Sequence, residues 1–158
     1  MALQLTILVG TMTSTAELVA QAVQLAIEDD DVQIDIKPMD ALDAGVFASG
    51  GLFLVCTSTY GQGDVPDNAK ALFASLTQTR PDLAAVDYAV IALGDRTYAE
   101  TFCFGGKRFD ELLSALGATR IGEVFRHDAS AGTMPEELAA EWAVDWIESV
   151  KAGRALTA

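Results

Sequence analysis

Three short segments concentrate the residues able to do chemistry in this chain of 158 residues. The first is Gly10-Thr11-Met12-Thr13-Ser14-Thr15-Ala16, which carries four hydroxyls and runs directly into an apolar-periodic stretch. Unpaired N–H groups and the positive dipole end at a helix N-terminus both favour an anion. Capping by Ser14 or Thr13 alone would use one hydroxyl. No Lys or Arg lies in the segment, and neither the GxxxxGKS/T nor the GxGxxG pattern is present. A monophosphate held by neutral donors therefore suits it better than a magnesium-bound triphosphate. The second segment is Thr57-Ser58-Thr59-Tyr60-Gly61-Gln62-Gly63-Asp64, and the third is Gly94-Asp95-Arg96-Thr97-Tyr98-Ala99-Glu100-Thr101-Phe102-Cys103. Taken singly, each reads as an ordinary turn with a tyrosine on it. Together they point to a planar ring held between aromatic side chains, with a phosphorylated tail in the first segment.

The elements that must position these segments alternate along the chain. Leu3–Val9 is a β-rich run stopped at Gly10, and Ala16–Ile27 places Leu18, Val19, Ala22, Val23, Ala26 and Ile27 at helical spacing. Glu28-Asp29-Asp30-Asp31 lacks the glycine and distal glutamate of a calcium loop and reads as a solvated turn. Val32–Ile36 alternates as a second strand, and Leu52–Cys56 is a continuous apolar run suited to a strand buried on both faces. Pro66-Asp67-Asn68 opens a helix to about Leu76, and Asp87–Leu93 is a fourth strand. Phe104–Leu116 is a helix closed by Gly117, Ile121–Phe125 a fifth strand, and Pro135 to about Val150 a last helix. Parallel strands require crossovers, so this order implies an α/β fold with a parallel sheet and helices on both faces. Ligands of such sheets bind outside the carboxyl ends of the strands, where the strand order reverses. The three segments follow strands one, three and four.

Composition narrows the function classes. Hydrophobic residues make up 51% of the chain, and apolar clusters recur throughout, which excludes disorder. Apolar runs are far shorter than the ~20 residues a membrane-spanning helix needs. Met1–Val9 has no positive leader region, and the two cysteines, Cys56 and Cys103, form no CxxC pair. A cytoplasmic setting is expected, with residues 1–150 as one domain and 151–158 as a tail. The 23 Asp and Glu against 10 Lys and Arg give a net charge of −13, which repels nucleic acid and anionic membrane and suits a partner with a basic face.

Thr57 to Ala69 resembles the STYGxGDxPDN loop of the flavodoxin-like FMN proteins. Gly94-Asp95-Arg96-Thr97-Tyr98 through Phe102-Cys103 resembles their second flavin loop, and Gly10 to Glu17 their phosphate loop, GSQTGTAE. The likeness spans essentially the whole chain and is greatest to short flavodoxins of the MioC type and to the FMN domains of diflavin reductases. It implies a flavodoxin-like five-stranded sheet of order 2-1-3-4-5. It also implies that Thr11, Met12, Thr13, Ser14, Thr15 and Ala16 hold the FMN phosphate. Ser58, Thr59, Tyr60 and Gly61 would lie along one side of the isoalloxazine. Leu93, Gly94, Asp95, Tyr98, Phe102 and Cys103 would close the other side, with Tyr98 as the stacking ring. Asp128 falls where diflavin domains place an acidic flavin neighbour. Two departures stand out: Ser14 occupies a family glycine position, and Tyr98 and Phe102 are four apart where several relatives have three.

The function implied is that of a monomeric electron carrier, loaded by an NAD(P)H-dependent flavoprotein reductase and unloaded by an acceptor protein, both with basic docking faces. A carboxylate ~10 Å from the ring, at an effective dielectric near 20, disfavours the added electron by roughly 1.7 kcal/mol, or ~70 mV. Asp64, Asp67, Asp95, Glu100 and Asp128 are the candidates. In the family a glycine peptide of the loop that Thr57–Asp64 resembles rotates to bond the flavin N5–H, and Gly61 fits that role. His127 reads as a surface residue rather than a catalyst, with a place near the flavin as the alternative, and Cys103 as packing beside the ring. An FMN-dependent quinone or azo reductase is the enzyme alternative; two covering tyrosines leave little room for its substrate. A domain cut from a longer reductase is another alternative. A phospho-receiver domain would need an acidic residue where Cys56-Thr57 stand, and is rejected.

Overall fold

The computed structural model describes residues 3–10, 15–48, 50–57, 69–94, 104–122, 124–128 and 133–157. Strand β1 (Leu3–Gly10) leads to helix α1 (Thr15–Ile27) and strand β2 (Val32–Pro38), followed by 3-10 turns at Met39–Ala41 and Ala44–Phe47. Strand β3 (Gly51–Thr57), helix α2 (Lys70–Thr79), strand β4 (Val86–Gly94) and helix α3 (Phe104–Ala115) come next. Two short strands, β5 (Thr119–Arg120) and β6 (Phe125–Asp128), precede helix α4 (Pro135–Thr157). All strand pairings within the sheet are parallel, in the order β2-β1-β3-β4-β5, with β6 also on β4. The expected order 2-1-3-4-5 is therefore present.

Alternation along the strands builds a core on each face. Leu5, Ile7 and Val9 of β1, Leu52, Leu54 and Cys56 of β3, and Ala89, Ile91 and Leu93 of β4 pack with α1 and α4. Leu8, Phe53, Val55, Tyr88, Val90 and Ala92 face the other way, toward α2 and α3. The apolar run in β3 is continuous because both its faces are covered. At the acidic turn after α1, the Asp29 carboxylate accepts from the backbone N–H of Asp31 and Val32, at 2.8 and 3.0 Å. It is a solvated turn, as its composition suggests.

The fifth strand departs from expectation. It is not one ladder over Ile121–Phe125 but two pieces, Thr119–Arg120 opposite Asp87 and Tyr88, and Phe125–Asp128 opposite Ile91 to Gly94. Gly122, at φ +81°, turns the backbone out between them. Ile121 and Phe125 still pack against the α1/α4 core, so the apolar spacing reflects burial and not a continuous ladder. Carbonyls released by the break find other donors: Trp146 Nε1 donates to the Ile121 carbonyl at 3.0 Å, and Arg120 Nε to that of Gly122 at 3.0 Å. Trp142 and Trp146 stack at 5.5 Å between centroids, with Phe125 5.7 Å from Trp142. Helix α4 continues past Val150, through residues 151–157.

A polar clasp fastens α3 to the sheet. The Tyr88 hydroxyl donates to Asp110 Oδ1 at 2.6 Å, and Arg120 NH1 donates to Asp110 Oδ2 at 2.7 Å. Burial, and then the Asp110 carboxylate, hold the phenol well above the usual tyrosine range, so it stays a donor. Tyr88→Phe is expected to cost about 1–2 kcal/mol, because the partly buried Asp110 oxygen loses its partner. Urea denaturation reads the loss, and an unchanged midpoint would show that the clasp contributes nothing.

Candidate cofactor site

The carboxyl ends of the strands form one edge. Gly10 of β1 is level with Thr57 of β3, Thr57 with Ala92 of β4, and Gly94 with Asp128 of β6. The chain leaves β1 through α1 to reach β2 on one side, whereas β3 leaves through α2 to reach β4 on the other. The strand order therefore reverses between β1 and β3, and the crevice outside Gly10 and Thr57 is where a ligand belongs.

Sequence and packing keep that crevice tight. A Cβ on Gly10 would stand 2.7 Å from Thr57 Oγ1, 3.1 Å from Met39 Sδ and 3.3 Å from the Ala69 Cβ, so the exits of β1 and β3 close up only around a glycine. The Cys56 thiol, fully buried, donates to the Ala16 carbonyl at 3.4 Å and ties the first turn of α1 to β3. Burial pushes the thiol far above the usual range, so it remains a donor and not a nucleophile. The place of Cys56 at the end of an apolar run, one residue before the Thr57–Asp64 segment, is the signal of its burial in the sequence. Similarly, α3 comes down on β4 at Gly106, where a Cβ would lie 2.4 Å from the Ala92 Cβ.

Of the expected site residues, the structure places Thr15 as the first residue of α1, Ala16 buried in its first turn, Leu93 buried, and Gly94 and Asp128 side by side at the strand ends. Thr11, Met12, Thr13, Ser14, Ser58, Thr59, Tyr60, Gly61, Asp95, Tyr98, Phe102 and Cys103 lie outside the described residues, as do Asp64, Asp67 and Glu100. One expectation is overturned. His127 is not a surface residue but is buried, 5% exposed, because it is level with Leu93 and shares the α4-facing side of β6 with Phe125. Its Nε2 lies 2.9 Å from Thr133 Oγ1.

The family model for Flavodoxin matches residues 7–142. The chain belongs to the flavodoxin family. It is 36% identical over 149 residues to Flavodoxin YqcA of Pectobacterium carotovorum subsp. carotovorum, covering 94% of this chain and 98% of that protein. It is 30% identical over 147 residues to Protein MioC of Escherichia coli (strain K12), covering 93% and 98%. A match at 33% identity spans 92% of this chain but 24% of the sulfite reductase [NADPH] flavoprotein alpha-component of Shewanella sp. (strain MR-7). Among solved structures, a cysteine-to-alanine mutant of flavodoxin from Pseudomonas aeruginosa superposes with a TM-score of 0.84 at 30% identity, covering 94% of this chain and 99% of that one.

The resemblance read from the three segments, including that to the MioC type and to diflavin-reductase FMN domains, is thus borne out. The cofactor is FMN, and the protein is an electron-transfer flavodoxin. Flavodoxin-like FMN proteins accept electrons from flavoprotein reductases. The described residues fit this cofactor in that α1 begins shortly beyond β1 at the reversal point, and the sequence from 10 to 16 carries hydroxyls but no cation. No helix among the described residues is long and apolar enough to cross a membrane.

Gly10→Ala should weaken FMN binding by about tenfold or more, since the added methyl must push Thr57 or Met39 aside at the crevice. Fluorescence titration of the FMN-free protein checks this, and wild-type affinity would contradict it.

Proposed function

We propose that this flavodoxin carries single electrons in the cytoplasm, as a monomer, from an NAD(P)H-dependent flavoprotein reductase to an acceptor protein, each docking through a basic face. The observation that carries the reading is the alignment of Gly10, Thr57, Gly94 and Asp128 at one edge, with the order reversal between β1 and β3. Bound FMN supplies chemistry that passes one electron at a time.

The chain's own residues do the rest. Thr11, Met12, Thr13, Ser14, Thr15 and Ala16 bind the phosphate through hydroxyls and backbone N–H groups at the start of α1. Ser58, Thr59, Tyr60 and Gly61 line one side of the ring, and Leu93, Gly94, Asp95, Tyr98, Phe102 and Cys103 the other. Two tyrosines stacked on the ring would exclude water and crowd a substrate, which favours a carrier over a quinone or azo reductase. Asp128, at the end of β6, places negative charge at the same edge and disfavours added electrons. With a net charge of −13, docking to basic partners should weaken as salt rises.

Thr13→Ala with Thr15→Ala should weaken FMN far more than riboflavin, because only FMN carries the phosphate. Parallel titrations with the two ligands decide it, and equal losses would remove the phosphate assignment.

A further inference from the structure

His127 is a buried polar side chain in β6, one residue short of the cofactor edge. Phe125, two residues earlier, packs against Trp142 of α4, and strand alternation turns His127 toward the same helix. Its ring meets Thr133 Oγ1 at 2.9 Å, and Thr133 stands two residues ahead of Pro135, the first residue of α4. A hydroxyl can donate to Nε2 in one tautomer or accept from it in the other, so the contact holds with the imidazole neutral in either form. The bond spans the gap between the last strand and the last helix. It fixes Asp128, level with Gly94, and the positive end of the α4 dipole at a set distance from each other.

We propose that His127, through Thr133, is a positioning residue of the FMN site: it holds the carboxyl end of β6 and the start of α4 in place at the cofactor edge. The inference rests on the flavin reading above. Asp128 stays in its ladder with Gly94, but without the bond the end of β6 and the start of α4 are less well ordered, so the site is less pre-organised and the carboxylate is more screened. The cofactor then binds less tightly, and the second electron is accepted more readily.

The test compares His127→Leu, His127→Gln, Thr133→Val, Thr133→Ser and the double variant H127L/T133V. FMN affinity and the lower one-electron potential are measured in each, and amide hydrogen exchange at Asp128 and Thr133 in the FMN-free proteins. H127L and T133V are each expected to bind FMN about three- to tenfold more weakly, the size of one lost hydrogen bond. Each should also raise the lower potential, with the double variant no worse than H127L. T133S and H127Q, which keep a partner for the bond, should behave as wild type. A lowered melting temperature with unchanged affinity and potential would overturn the proposal, as would additive losses in the double variant. T133V, at an exposed position, keeps the test intact if H127L fails to fold. Should the wild type itself take up no FMN, the flavin reading falls. Exchange then judges the tie alone: faster exchange in T133V than in wild type supports it, and equal rates overturn it.

Discussion

The parallel pairing of β1 with β3, level from Leu5 and Leu52 to Gly10 and Thr57, is the constraint on which the rest of the molecule depends. Parallel neighbours cannot be joined by a hairpin, so β1, β3 and β4 each continue into a crossover that carries a helix on one face or the other. Because β1 turns toward β2 and β3 toward β4, their crossovers leave on opposite faces, and the crevice opens between them. Among the described residues, α1, α2, α3 and α4 each follow a strand and so direct their positive ends toward the carboxyl edge of the sheet. The same arrangement buries β1, β3 and β4 on both sides, which is why two cores form with the sheet as their shared wall.

Close contacts at the crevice turn that topology into a site. Gly10 lets β1 approach Thr57 and Met39, the Cys56 thiol holds the first turn of α1, and Gly106 lets α3 settle on β4. None of these groups needs to touch the cofactor. They fix the strand and helix ends from which the binding segments spring, so less conformational freedom is lost when a ligand binds.

Much of this is legible from residue order alone. Helices α1 and α3 show clean 3.6-residue spacing, and β3 and β4 are apolar runs bounded by glycine, because local pattern and tertiary burial agree there. The fifth strand misleads for a physical reason: Ile121 and Phe125 alternate as a strand would, but their spacing serves packing on α4 while Gly122 breaks the ladder. Nothing local foretells that Trp146, 25 residues away, supplies the hydrogen bond that makes the break tolerable. His127 misleads because a lone histidine has no pattern of its own; only its register with Leu93 shows that it is buried. The helix through residues 151–157 is hidden because Lys151, Gly153 and Arg154 leave no apolar stripe there. For the site, the three motifs offer candidate residues in sequence, while the structure describes only the strand and helix ends that flank them.

Charge completes the account. A chain of net charge −13 gathers an anionic cofactor at the one edge where helix ends offer compensating positive potential. The carboxylate of Asp128, level with Gly94 at that edge, adds negative charge there, and in the proposed reading such charge disfavours a further electron. The most direct measurement is an anaerobic reductive titration of the FMN-loaded protein, followed by absorbance and electron spin resonance. Bleaching in two one-electron stages with a radical signal between them is expected. A single two-electron bleach with no radical would contradict it.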